Sequence, residues 1–91
     1  MKIGPNDSKI VDIFSAITML ENYKLTILRD NGWVLDEYDD MLKNNGRMVA
    51  RHDAEQIIDK YIKVLNEKLT EHNEVDIFKI IYFILGDLSR V

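Results

Sequence analysis

Cysteine is absent from the chain, which excludes a disulfide scaffold, a thiolate metal site and a cysteine nucleophile. The absence fits a reducing compartment, and a cytoplasmic location is the expectation. Proline occurs once, at Pro5, and glycine at four isolated positions, Gly4, Gly32, Gly46 and Gly86. Long loops therefore have little room, and no glycine-rich phosphate loop can form. A long hydrophobic run is also missing. The most apolar stretch, Val75 to Leu85, spans 11 residues and holds Asp76 and Lys79, whereas a membrane-spanning helix needs roughly 20 apolar residues. The first seven residues, Met1 to Asp7, lack the apolar region of a signal peptide.

Positive charge is in deficit too. Sixteen acids against 12 bases leave a net charge of −4. Each half, 1–50 and 51–91, carries eight acids and six bases, so neither half is a basic arm. That argues against nucleic acid as a partner and is compatible with a protein partner that has a basic surface.

What is present is a globular composition, 46% hydrophobic and 31% charged over 91 residues, enough for a single domain, 1–91. No internal repeat, low-complexity tract or linker stands out. Asn6-Asp7-Ser8 reads as a cap opening a first helix, with Ile10, Ile13, Phe14, Ile17 and Leu20 on one face. Tyr23 to Leu35 has two readings. A helix can continue and stop at Asn31-Gly32, with Trp33 as the apolar contact after it. Alternatively, 24–28 and 33–35 form a small β-hairpin (24–35) around Asn-Gly. The helix is the favoured reading.

Asp36 then caps a short helix through Leu42 or Lys43, ended by Asn44-Asn45-Gly46, and 47–52 is a connection. Asp53 and Gln56 form a capping box for a long helix, with Ala54, Ile57, Ile58, Tyr61, Ile62, Leu65 and Leu69 on its apolar face. His72-Asn73 breaks it, and Asn73 caps a last helix from Glu74 to about Ser89. That helix is apolar almost all round, which predicts the buried centre of the molecule. The expectation is an all-α fold, a compact bundle of three to four helices with a C-terminal αα-hairpin. Surplus apolar surface on that hairpin, with Gly86 suited to close packing, points to a possible homodimer.

The densest charge is Asp36-Glu37-Tyr38-Asp39-Asp40. With Trp33 it forms a candidate partner-binding patch of Trp33, Asp36, Glu37, Tyr38, Asp39 and Asp40. Complementary charge speeds and orients association, and Trp and Tyr are the usual interface anchors. The competing reading is helix capping, since acids are stabilised at a helix N-terminus. Asp53, Glu55 and Asp59 form a second acidic group at a helix start. No carboxylate set has a ligand frame, so neither a metal nor a cofactor is expected. Ser8, Ser15 and Ser89 lack an arranged base, His72 reads as a helix-end cation, and Met19, Met41 and Met48 read as core filler.

Arg47-Met48-Val49-Ala50-Arg51-His52 resembles the Arg-x4-His pattern of the helical ribonucleases called HEPN domains. The resemblance, six residues long, implies acid–base cleavage of RNA by His52 with Arg47 steadying the phosphate. Met48 replaces the polar residue that usually follows the arginine, and the acids nearby would repel RNA.

The functional expectation is a non-catalytic, protein-binding inhibitor. An immunity protein or antitoxin occluding the basic active site of a toxin such as a nuclease is the leading form, with a phage-encoded anti-defence protein as another. The alternatives are a structural or oligomerisation module and, more remotely, the HEPN-like ribonuclease.

Overall fold

The computed structural model describes residues 2–71 and 73–91; the expectation for His72 lies outside them. Among the described residues four helices and five short strands follow in the order β1 (Ile10–Asp12), α1 (Ile13–Asn22), α2 (Lys24–Asp30), β2 (Val34–Asp36), β3 (Met41–Asn44), β4 (Arg47–Ala50), α3 (Arg51–Glu67), β5 (Glu74–Asp76) and α4 (Ile77–Leu88). The strands make an antiparallel β1–β5 pair and an antiparallel meander β2-β3-β4. The fold is mixed α and β, which overturns the all-α bundle.

The first reason is that both expected helix starts are strands. Val-Asp-Ile-Phe occurs twice, at 11–14 and 75–78, and each copy does two jobs. Its first two residues lie in a strand, and its aspartate caps the helix that follows. Asp12 accepts from the Ser15 N–H and Asp76 from the Lys79 N–H, as a cap carboxylate does for the orphan donors of a first turn. The strands pair with Val11 opposite Val75. The Ile13 N–H donates to the Asn73 carbonyl at 3.0 Å, and the Ile77 N–H to the Lys9 carbonyl at 2.9 Å. The two ends of the chain thus meet in a local two-fold arrangement built from one repeated tetrapeptide. Asp12 and Asp76, not the Asn6-Asp7-Ser8 cluster and Asn73, are the caps.

The second reason lies in the two Asn-Gly pairs, which do different work. Asn31-Gly32 ends α2 as expected, and the 24–35 hairpin is not formed. The Gly32 N–H bonds the Arg29 carbonyl at 3.0 Å and the Trp33 N–H the Leu28 carbonyl at 2.8 Å, the paired bonds of a Schellman motif. Gly32 has φ +95°, and Trp33 and Leu28 are both buried in the core. Asn45-Gly46, expected to stop a helix, instead turns the β3–β4 hairpin. Both residues have positive φ, 50° and 84°, as a two-residue type I′ turn requires. Asn44 pairs with Arg47 across it, and Leu42 with Val49. Those two apolar side chains are the inward ones of their strands, at 0% and 3% exposure, with the two-residue alternation of a sheet that is buried on one face.

α3 is the central element. Ala54, Ile58, Ile62 and Leu65 recur at three- and four-residue steps and are buried. It packs against α1, α4 and the β3–β4 hairpin. It starts two residues before the expected cap: Ala50 precedes it with no side-chain cap, and Asp53 sits in its first turn. α4 packs on α3, but β5 stands between them in the chain, so they are not a plain αα-hairpin. Nor is α4 the buried centre. Ile77, Ile81, Ile84 and Leu88 face inward, while Tyr82 and Phe83 are exposed. Among the described residues Asn31 is the one polar residue in the core; its amide accepts from the Ile3 N–H and donates to the Ile27 carbonyl, both at 2.8 Å. Among the described residues no helix is long and apolar enough to cross a membrane.

Candidate partner-binding surface

The acidic segment 36–40 is the turn between β2 and β3 rather than a helix, because Asp36 and Met41 pair across it. One carboxylate oxygen of Asp36 accepts the Tyr38 N–H at 3.0 Å, the local bond that makes Asx residues turn formers. The other meets Lys43 Nζ at 2.8 Å, and that ammonium also meets Asp39 at 3.1 Å. Asp40 takes a left-handed backbone, φ 58°, which aspartate tolerates better than most residues. Its carbonyl accepts the Arg51 N–H at 3.1 Å, and its carboxylate lies 2.8 Å from Arg51 Nε.

The electrostatics follow from these contacts. The hydrogen bond from Lys43, then that from the Tyr38 N–H, holds the Asp36 carboxyl below its ordinary range. Asp36, and after it Asp39, raises the Lys43 ammonium. Lys43 and Arg51 offset two of the four negative charges of the turn, which keeps a net −2.

The six residues expected to form one binding patch therefore separate by role. Trp33 is 2% exposed and belongs to the core, where no partner can reach it. Asp36, Asp39 and Asp40 brace the turn. Tyr38 is 99% exposed at its tip, and Glu37 beside it is exposed with no ion pair among the described residues. What the turn offers a partner is one tyrosine ring and a residual negative field on a pre-set backbone.

The other expected features also resolve individually. Arg47 lies on β4, and its Nη1 donates to the Ser89 carbonyl at 3.2 Å; His52 is exposed in the first turn of α3. Of the second acidic group, Asp59 bonds Lys24 Nζ at 2.6 Å, which ties α2 to α3. Met48 is exposed rather than core filler.

Two features escaped the sequence reading. The first is a polar junction at the end of α4. Asp87 accepts from the Tyr61 hydroxyl at 2.6 Å, meets Lys60 at 3.4 Å and pairs with Arg90. The Tyr61 bond, ahead of those from Arg90 and Lys60, lowers the Asp87 carboxyl. Burial, and then the Asp87 bond, pushes the Tyr61 hydroxyl up to about 12. The second is a groove of about 350 Å³ lined by Val64 and Leu65 of α3, Val75 of β5 and Ile80 of α4, with Lys68 and Lys79 beside them. The sequence signal for Tyr61–Asp87 was weak, since 26 residues separate them. The outward position of Tyr82 and Phe83 was visible in principle, because they fall opposite Ile77, Ile81 and Ile84 on a helical wheel.

Comparison with known protein families, curated proteins and solved structures finds no match to this chain.

Proposed function

We propose that the chain is a stoichiometric protein-binding inhibitor that presents the β2–β3 turn to a partner with a basic surface. A toxin nuclease, blocked at its substrate-phosphate groove, is the leading partner class, and the cytoplasm the corresponding compartment. The single observation that carries the reading is Tyr38, 99% exposed on a turn held by Lys43, Arg51 and an Asx bond. A braced loop loses little entropy on binding, and a tyrosine is a common interface anchor with few rotamers to freeze. The residual negative charge steers a cationic partner toward it.

The partner to try is the product of the reading frame beside this chain's own gene, since inhibitors are commonly encoded next to what they neutralise. Binding is expected to weaken as salt rises, because exposed charges are screened. Tyr38→Ala is expected to weaken it about 30-fold or more, the loss of an anchor residue, with melting behaviour unchanged. Full affinity in Tyr38→Ala, measured by calorimetry, would discard the turn as the contact.

A second reading, self-association as a structural module, is favoured by a different observation. Tyr82 and Phe83 stand outward on α4, 39% and 56% exposed, and neighbouring exposed apolar groups mark interaction surfaces.

A further inference from the structure

The chain holds two Asn-Gly steps, Asn31-Gly32 and Asn45-Gly46, and such a step carries its own chemistry. The glycine nitrogen, once it loses its proton, can attack the side-chain amide carbon of the asparagine before it. Glycine favours this because no Cβ hinders the approach and its backbone rotates freely. Whether the attack occurs depends on how the two reacting groups are held, and the fold holds the two steps in opposite ways.

At Asn31-Gly32 both groups are engaged. The Gly32 N–H donates to the Arg29 carbonyl at 3.0 Å. The Asn31 amide is buried, fixed at its oxygen by the Ile3 N–H and at its nitrogen by the Ile27 carbonyl. At Asn45-Gly46 neither group is engaged. Both residues are exposed between β3 and β4, and among the described residues neither the Asn45 side chain nor the Gly46 N–H has a hydrogen-bond partner. The space is open as well: a Cβ built on Gly46 would meet nothing within 4 Å, whereas one on Gly32 would lie 3.2 Å from the Asn44 side chain. An exposed turn without packing opens locally at little cost, which lets the Gly46 nitrogen swing onto the Asn45 amide carbon.

We propose that Asn45 is a site of spontaneous deamidation and isoaspartate formation, and that the core shields Asn31 from the same reaction. The bond from the Gly46 nitrogen to Asn45 Cγ forms and the Cγ–Nδ2 bond breaks. The amide leaves as ammonia, taking up the proton that Gly46 gave. Water then opens the cyclic imide at either of its two carbonyls, leaving aspartate or isoaspartate at position 45. Each product adds one acid, which takes the formal net charge from −4 to −5. Isoaspartate also inserts a methylene into the main chain, and a two-residue turn that sets Asn44 opposite Arg47 cannot keep its geometry with that insertion. β4 leads through Ala50 into Arg51, the residue that holds Asp40, so the change reaches the support of the acidic turn.

The test is to incubate the chain at mildly alkaline pH, well below its melting transition, and to map its peptides by mass spectrometry with fragmentation that separates isoaspartate from aspartate. Asn45 is expected to convert at least about a hundredfold faster than Asn31, since a group held in the core reacts only from open states, populated to about one part in a thousand or less. In denaturant the two steps should convert at comparable rates. Comparable conversion in the folded chain overturns the proposal, and so does an Asn45 that stays intact while the denatured chain reacts. By ion exchange, Asn45→Gln should lose the more acidic species that the parent chain accumulates; its appearance at the parent rate overturns Asn45 as the source. Should that variant misfold, the peptide map of the parent chain decides by itself.

Discussion

Asp87 is held by Tyr61, Lys60 and Arg90, and through the first two it fastens the end of α4 to the middle of α3. A bond to a charged acceptor contributes about 1.5–3 kcal/mol, and removing one partner strands the other. Asp87→Asn is accordingly expected to lower stability by about 1–3 kcal/mol in a denaturant titration. The pH dependence has two limbs. Asp87, Asp76 and Asp36 all titrate lower when folded, so the unfolded chain binds protons first as pH falls. Their contribution is complete above the ordinary carboxylate range, near 3.8, and is lost as pH falls through their folded values. Tyr61 runs the other way: raised from 10.0 to about 12, its contribution is complete below pH 10 and is lost on approach to 12. Melting temperature against pH should show both limbs, with Tyr61→Phe flattening the alkaline one. At Gly32 the positive φ is required, and a Cβ would lie 3.2 Å from the Asn44 side chain. Gly32→Ala should cost about 1–2 kcal/mol, whereas the single-residue cues at Asn31-Gly32 were already legible in the order of residues.

At the scale of elements, three-residue strands explain why the sequence pattern misled. Ile10–Asp12 and Glu74–Asp76 are too short to show an alternation, and each leads directly into a helix whose apolar period absorbs it. The repeated Val-Asp-Ile-Phe was the available signal, since an aspartate before an apolar run is a cap wherever it occurs. The two copies differ in load. Among the described residues Asp12 bonds Ser15 alone, within its own first turn. Asp76 accepts from the Ser8 hydroxyl at 2.7 Å, the Lys9 N–H at 3.0 Å and the Lys79 N–H at 3.3 Å, joining the start of the chain to its last helix. Asp12→Ala is expected to cost about 1 kcal/mol and Asp76→Ala distinctly more, with amide exchange rising at Lys9 only in the latter. Equal losses in the two variants would contradict this division.

For the whole molecule, Trp33 and Tyr38 make the sharpest contrast. Both were candidates for the same surface, five residues apart, and the fold buries one and presents the other. Trp33→Ala should cost about 3–5 kcal/mol as a core truncation, and Tyr38→Ala should stay within about 0.5 kcal/mol of the parent chain. Chemical denaturation of the two variants side by side checks the pair of values. The core that makes this choice draws on every element from Ile3 to Leu88, so no window of sequence contains it.

Local rules were sufficient where one turn of chain decides the outcome. The α2 stop at Asn31-Gly32 and the amphipathic face of α3 follow from neighbours within about four residues, the reach of helical hydrogen bonds and side-chain pairs. Tertiary structure alone decided which Asn-Gly became a hairpin, which acids brace a turn, and that two tetrapeptides 64 residues apart pair as strands. A strand has no partner within itself. Its hydrogen bonds and its burial are both supplied by distant chain, and only the assembled core settles where that chain lies.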